Sequence, residues 1–341
     1  MHVGLIGGGG ISATHAQAAL AIPGVSVAAI QGTNEEKVRA LCARYGGTPY
    51  TRLDALLAHR PLDFVVIGSP SGLHAEQGVA AAAQGLHVLV EKPIDITTSR
   101  ADALIGAAAK ADVRLGVIFQ DRFKPGPIAM KQVLQEGRLG RPILVDAKVP
   151  WYRPPEYYAT SRWRGTLALD GGGALINQAI HTLDLLIWLL GDVARVQART
   201  STLLHRIEAE DSGAAILEFA CGALGTFTFT TAAYPGYPRR IAVTGTLGTM
   251  VLEQDEVIGL DLVEGALERQ GDGRPGVAPR LPAGVADQPA SSPLVSDIGP
   301  HRAVFDDFIS AIRDKRAPRC DGREGRRSLA LVEEIYQASA R

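Results

Sequence analysis

Up to Phe119, short apolar runs alternate with stretches of helical periodicity. The runs are His2–Ile6, Val25–Ile30, Leu62–Ile67, His87–Val90 and Val113–Ile118, with a shorter one at Thr48–Tyr50. Between them, Glu35–Tyr45, Arg52–His59, Leu73–Gln84 and Ser99–Ala111 repeat their apolar residues at helical spacing. Strands apolar on both sides are those of a parallel sheet covered by helices on each face, so the pattern predicts an α/β, doubly wound fold. Beyond Phe119 the rhythm changes. A helix is expected near Ile128–Glu136 and a strand at Ile143–Val149. An aromatic and proline-rich stretch, Trp151–Trp163, and a long helix from Ala174 to Leu190 follow. Val193–Thr200, Asp211–Phe219, Gly225–Thr231, Arg240–Thr244 and Thr249–Glu253 then alternate with period two and have no helices between them, as strands of an antiparallel sheet do. Gly271–Pro300 reads as a Gly/Pro-rich surface loop, and His301–Arg313 and Arg323–Ala340 as amphipathic helices.

Length and composition narrow the partners. The 341 residues suffice for two domains, and 46% apolar with 21% charged residues is ordinary globular composition. A formal net charge of −1 argues against nucleic acid or an anionic membrane, which select a basic face, but leaves room for a small anionic ligand. No apolar run reaches the roughly 18–20 residues that span a bilayer. The N-terminal strand passes straight into glycines with no signal-peptide pattern, and the three separated cysteines, Cys42, Cys221 and Cys320, suggest reduced thiols. Both features fit a cytoplasmic protein.

The glycines carry the first chemistry. Gly7-Gly8-Gly9-Gly10-Ile11-Ser12 closes a predicted strand and opens a helix. In the G-x-G-x-x-S reading, Gly7 permits the tight turn and Gly9 lets the backbone approach a pyrophosphate. Gly10 and Ile11 begin the helix whose positive end faces that anion, and Ser12 is small enough for close packing. This predicts a dinucleotide-binding Rossmann domain over 1–119, and the change of rhythm predicts an α+β domain with a large open, mainly antiparallel sheet over 120–341. The second strand ends in Gln31-Gly32-Thr33-Asn34 without the acid that normally holds the adenosine ribose. A 2′-phosphate would not be repelled there, and Thr33 with Lys37 could contact it, which favours NADP over NAD. Thr33 and Asn34 could equally be helix caps.

Glu91-Lys92-Pro93 stands just past a strand's C-terminal end, where such sheets bind ligands, so Lys92 could reach substrate and nicotinamide together. The turn Ser69-Pro70 to His74 could face the same crevice. In the second domain, Asn177 and His181 are four residues apart and share a helix face, with Asp184 three residues further on. Arg122, Tyr152, Arg153, Tyr157, Trp163 and Arg164 could line a sugar pocket, aromatic faces stacking on pyranose C–H surfaces and guanidiniums holding hydroxyls or carboxylates. Asn, His and Asp on one helix could also ligate a metal, but no second cluster of His or Cys accompanies them, so no metal is expected.

Together these motifs resemble the glucose–fructose oxidoreductase, inositol dehydrogenase and rhizopine-catabolism (Gfo/Idh/MocA) family. The resemblance is carried by the glycine turn with His15, Ser69-Pro70…His74, Glu91-Lys92-Pro93, Gln120-Asp121-Arg122-Phe123 and Gly171-Gly172-Gly173…Asn177…His181…Asp184. Asp307-Phe308 and Asp321–Arg326 extend it towards the C-terminus. It implies an NAD(P)-dependent dehydrogenase of pyranosides, polyols or sugar derivatives, with Lys92 near the nicotinamide and His181 as the acid/base. The cofactor-binding residues would be Gly7, Gly9, Gly10, Ile11, Gly32, Thr33, Asn34, Lys37, Ser69, Pro70, His74, Glu91 and Lys92. Many members have Asp where this chain has Asn177, and an amide neither takes nor relays a proton at neutral pH. Asn177 would therefore orient a substrate hydroxyl, and the proton chemistry would fall to His181 and Lys92. The resemblance also implies a homodimer or homotetramer. A redox-cycling glycosidase or eliminase with retained NAD, or a nucleotide-sensing protein without activity, would fit the same motifs.

Overall fold

The computed structural model describes residues 1–263 and 297–340. Most of the predicted loop at 271–300 lies outside them. The described residues form two compact units, and neither follows a single cut in the chain. Where one boundary after residue 119 was expected, the first unit comprises Met1–Gln120 together with Thr166–Gly171 and, of its described C-terminal residues, 297–330. The second comprises Asp121–Gly165, the described residues from Gly172 to 263, and the last residues from Leu331.

The first unit is a six-stranded parallel sheet in the order β3-β2-β1-β4-β5-β6. Its strands are β1 (His2–Ile6), β2 (Ser26–Gln31), β3 (Thr48–Tyr50), β4 (Phe64–Ile67), β5 (His87–Glu91) and β6 (Leu115–Ile118). This is the order of a dinucleotide-binding sheet, with the reversal between β1 and β4 opening a crevice at the strands' C-terminal ends. The four residues of β4, Phe64, Val65, Val66 and Ile67, are wholly buried, which explains the continuous apolar run. Helices α1 (Gly10–Leu20), α2 (Glu35–Tyr45), α3 (Leu53–Leu57), α4 (His74–Ala83) and α5 (Thr98–Lys110) connect the strands.

The second unit begins with a short 3₁₀ turn at Gln120–Phe123 and helix α6 (Pro125–Gln135). Its seven-stranded sheet runs β13-β12-β11-β7-β10-β9-β8. The strands are β7 (Pro142–Pro150), β8 (Val193–Ser201), β9 (Ser212–Phe219), β10 (Leu224–Thr230), β11 (Arg240–Gly245), β12 (Gly248–Glu253) and β13 (Glu256–Leu262). All pairings are antiparallel except β7 with β10. One face is buried, Val145, Ala147 and Val149 on β7 opposite Phe227 and Phe229 on β10, while Leu144, Ile216 and Leu224 are exposed on the other. The two-residue turn Gln254-Asp255 joins β12 to β13 with positive φ at both positions (47° and 70°). Such turns usually carry Asn-Gly or Asp-Gly, and the missing signature explains why β13 was not read from the sequence. The short helix α7 (Pro155–Ala159) precedes α8 (Ile180–Leu190), and the chain closes with α9 (Gly299–Arg313) and α10 (Gly322–Ser339).

The expected helix Ala174–Leu190 is two structures. Ala174–Ala179 winds as a π-helix, a wider coil met mostly at functional sites, and only Ile180–Leu190 is α-helical. Glu210 holds the start of the wide turn. Its buried carboxylate accepts from the backbone N–H of Gly173 (3.1 Å) and Leu175 (2.8 Å) and from the Tyr336 hydroxyl (3.0 Å). A Cβ at Gly173 would lie 1.9 Å from the Glu210 carbonyl oxygen, so only glycine allows this approach.

Candidate active site

In the first unit the glycine turn has the form a pyrophosphate needs. Gly7 has φ +123°, and a Cβ there would lie 2.6 Å from the Gly68 carbonyl oxygen at the end of β4. A Cβ on Gly32 would meet the Gly8 nitrogen at 2.9 Å, whereas Gly9 and Gly10 face open space. No side chain caps the N-terminus of α1 and no acid stands in its first turn. Its free N–H groups and positive dipole end are therefore available to an anion. Ser12 is buried, and its hydroxyl donates to the Gly7 carbonyl at 2.7 Å, which fixes the turn. These residues fit the pyrophosphate of a dinucleotide. After β2, the Asn34 side chain accepts from the Lys37 N–H at 3.0 Å and caps α2, the alternative reading of that segment, while Thr33 is exposed.

Two expected cofactor ligands brace the crevice instead. Glu91 is 9% exposed; it accepts from His15 Nε2 at 2.9 Å and from the Lys92 N–H at 3.1 Å. Burial opposes its ionisation, yet the His15 hydrogen bond and the charges of His15, His301 and Lys92 hold its carboxyl down to about 2. Glu91 is thus an ionised anchor that aims the backbone carrying Lys92, which is itself partly exposed. His74 is buried, with Nδ1 2.8 Å from the Pro93 carbonyl and Nε2 3.0 Å from that of Ser69. It ties the turn after β4 to the turn after β5, and burial pushes its pKa down against those two bonds.

In the second unit His181 lies at the start of α8. Asp184, expected near it, is engaged elsewhere: its two carboxylate oxygens take Arg122 Nε at 2.7 Å and Nη2 at 2.8 Å. Arg122 is 4% exposed and Asp184 0%, so Arg122 serves the packing of Gln120–Phe123 on α8 and is not placed as a sugar ligand. The acid beside His181 is Asp121, whose Oδ2 is 3.7 Å from Nδ1.

A second cluster gathers most of the predicted sugar residues. Arg164 stacks on the Tyr157 ring at 4.3 Å and on Trp163 at 5.2 Å, and Arg153 stacks on Tyr157 at 5.4 Å and on Trp151 at 5.5 Å. Gln178, which no sequence pattern singled out, links them to Asn177. Its amide accepts from Arg153 at 2.7 Å and donates to Tyr157 Oη at 3.0 Å and to Asn177 Oδ1 at 2.9 Å. The π-turn removes the strict four-residue register between Asn177 and His181 that an α-helix would give. Behind the cluster, buried His205 points Nε2 at the Arg153 carbonyl (2.8 Å) and Nδ1 at Asp211 (3.2 Å). The Tyr152 ring packs edge-on against Tyr234 at 5.2 Å, and its carbonyl accepts from Arg153 Nη1 at 3.2 Å. Among the described residues no group of three or more His, Cys, Asp or Glu is placed to hold a metal, and no helix is long and apolar enough to cross a membrane.

Comparison with known proteins shows the family. Residues 1–119 match a family described as an oxidoreductase family with an NAD-binding Rossmann fold, and residues 128–251 match the GFO/IDH/MocA C-terminal domain. The chain is similar to the WlbA dehydrogenase of Bordetella pertussis, solved with NADH and UDP-GlcNAcA. They share 34% identity over 100% of this chain and 96% of that one, with a TM-score of 0.86. The corresponding dehydrogenase of Chromobacterium violaceum, solved with the same two ligands, shares 31% over 100% and 94%, with a TM-score of 0.87. Inositol 2-dehydrogenase of Rhizobium meliloti (strain 1021) is 27% identical over 77% of this chain and 78% of its own.

Proposed function

Because the chain belongs to the GFO/IDH/MocA oxidoreductase family of NAD-binding sugar and polyol dehydrogenases, we propose that it oxidises a secondary hydroxyl of a carboxylated sugar nucleotide, with Lys92 and His181 as the catalytic pair. NAD, when bound, supplies the hydride acceptor. His181 takes the hydroxyl proton in oxidation and returns it in reduction, as an imidazole can. Lys92 stabilises the alkoxide that develops on the substrate oxygen. Asn177 orients a neighbouring hydroxyl. NADP is proposed only as a second acceptor: Gly32, Thr33 and Asn34, directly after β2, include no acid to repel a 2′-phosphate, but Asn34 is committed to its cap and Glu35 and Glu36 follow in the first turn of α2.

The observation that carries the substrate class is the pair of guanidiniums, Arg153 and Arg164, on the single ring of Tyr157. Burial, with the neighbouring Arg164 charge among the lesser causes, pushes the Arg153 pKa down, an arrangement that a carboxylate relieves. UDP-GlcNAcA, held by the Bordetella and Chromobacterium relatives, carries such a carboxylate. The test is a panel of UDP-N-acetylglucosaminuronate, neutral UDP-N-acetylglucosamine, myo-inositol and free pyranosides with NAD and NADP, followed at the nicotinamide absorbance. The uronate is expected to exceed the neutral nucleotide in kcat/KM by about tenfold or more, the worth of one charge-assisted hydrogen bond. Arg164→Leu should erase that preference by raising the uronate KM. Equal turnover of charged and neutral sugars would sink the carboxylate reading.

The exposed row of Leu144, Ile216 and Leu224 is proposed to seat a second copy, making the protein a homodimer or homotetramer. Sedimentation velocity is expected to show an oligomer that Ile216→Glu converts to monomer. A monomeric parent protein would refute this.

A further inference from the structure

The mechanism leaves unused a closed ring of charges beside His181. Asp121 is bonded to two cations, Arg239 Nη1 at 2.7 Å and Lys124 Nζ at 2.6 Å. Both cations also bind Asp255, Lys124 at 2.7 Å and Arg239 through Nε at 2.9 Å. The four side chains alternate in sign and sum to zero. Arg239 is 4% exposed and Asp121 5% on their side chains, so water screens that pair little, while Lys124 at 27% is more open to solvent.

Three separate segments are shaped to close it. Asp255 sits in the β12–β13 turn at φ +70°, a conformation unfavourable to non-glycine residues, and its two cations hold it there. A Cβ on Gly126 would lie 1.9 Å from the Asp255 carbonyl oxygen, so glycine at the start of α6 is what admits the turn close to Lys124. Arg239, preceding β11, accepts the Gln254 N–H on its carbonyl at 2.9 Å, which fixes its backbone to the same turn.

We infer that Asp121 is a positioning residue for His181, and that the ring sets how readily His181 accepts the substrate proton. The inference rests on the proposed acid/base role of His181. Asp121 Oδ2 faces Nδ1 at 3.7 Å, longer than a hydrogen bond but within ion-pair reach. A proton on Nδ1 is favoured opposite a carboxylate, and Nε2 is then the atom that takes the hydroxyl proton. Asp121 itself accepts no proton. Although burial favours its neutral form, Arg239 and Lys124 hold its carboxyl far below the usual carboxylate range. The remaining charges around α8 do not replace this arrangement. Asp184 is matched by Arg122, Lys131 on α6 stacks on Trp188 further along α8, and β7 keeps Asp146 and Lys148 on its exposed side.

The ring predicts shifts of opposite sign. Asp121→Asn leaves a net charge of +1 beside His181, disfavours the imidazolium and lowers the His181 pKa by about one unit. Lys124→Gln leaves −1 and raises it, by about half a unit because Lys124 is partly exposed. Histidine NMR titration of the protein without cofactor, with the His181 resonance identified by its loss in His181→Gln, reads both shifts directly. The acid limb of kcat/KM with substrate should move the same way: down in Asp121→Asn, up in Lys124→Gln. A purely structural role would lower stability or rate in both variants without opposed shifts. Shifts of one sign, or none, overturn the inference even if His181→Ala is inactive. An active His181→Ala overturns the catalytic assignment instead, whatever the titrations show. Should Asp121→Asn fail to fold, an unmoved or lowered His181 titration in Lys124→Gln is enough to reject the ring's influence.

Discussion

Alanine at His181 is expected to lower kcat for the sugar oxidation by about 10²–10⁴-fold, the usual worth of a positioned general base. Alanine at Lys92 should cost about 10²–10³-fold through lost stabilisation of the developing alkoxide. In His181→Ala NADH affinity, read by nucleotide fluorescence, should stay nearly unchanged, because the glycine turn and the free N-terminus of α1 are untouched. That contrast separates loss of chemistry from loss of cofactor. Residual rate in His181→Ala should lose the acid limb of the pH profile, since oxidation needs the unprotonated imidazole and the parent enzyme falls off as pH drops through its pKa. Single-turnover measurements at saturating substrate decide it. Wild-type rates in either variant would remove that residue from the mechanism.

The parts of the fold written in local pattern were legible. The buried runs of the parallel sheet, the Gly7–Ser12 turn and the alternation in the second sheet each follow from residues within a few positions of one another. Position and spacing singled out Lys92 and His181, and resemblance added the roles expected of them. What escaped the sequence lies in pairings over long separations. Asp121 meets His181 across sixty positions and Arg239 across more than a hundred, and no periodicity marks an ion pair of that kind. Helical spacing put Asp184 within possible reach of His181, but spacing could not reveal that Arg122 holds its carboxylate. The π-turn was hidden for a related reason. Its apolar residues Ala174, Leu175, Ile176 and Ala179 suit an α-helix equally well, and the wider coil is set by Gly173 and by the remote carboxylate of Glu210. Gln178 became visible only once that coil had turned it towards Arg153 and Tyr157.

The Arg122–Asp184 pair gives the largest expected effect on stability. With side-chain exposures of 4% and 0%, removing one partner leaves a buried charge without its bidentate counterpart, at a cost of about 3–5 kcal/mol. Asp184→Ala should therefore lower the melting temperature by roughly 10 °C, a large share of a stability that is usually about 5–15 kcal/mol. Replacing both partners at once removes the uncompensated charge. Arg122→Met with Asp184→Leu keeps the volume, fills the site with apolar atoms and should recover to within about 1 kcal/mol of the parent. Calorimetry on the two single variants and the double variant measures the coupling between them. The double variant also tests the position sequence reading gave Arg122 as a sugar ligand. If its guanidinium only packs the 3₁₀ turn on α8, the stable double variant keeps the parent KM. A KM raised tenfold in a fully folded double variant would return Arg122 to the substrate.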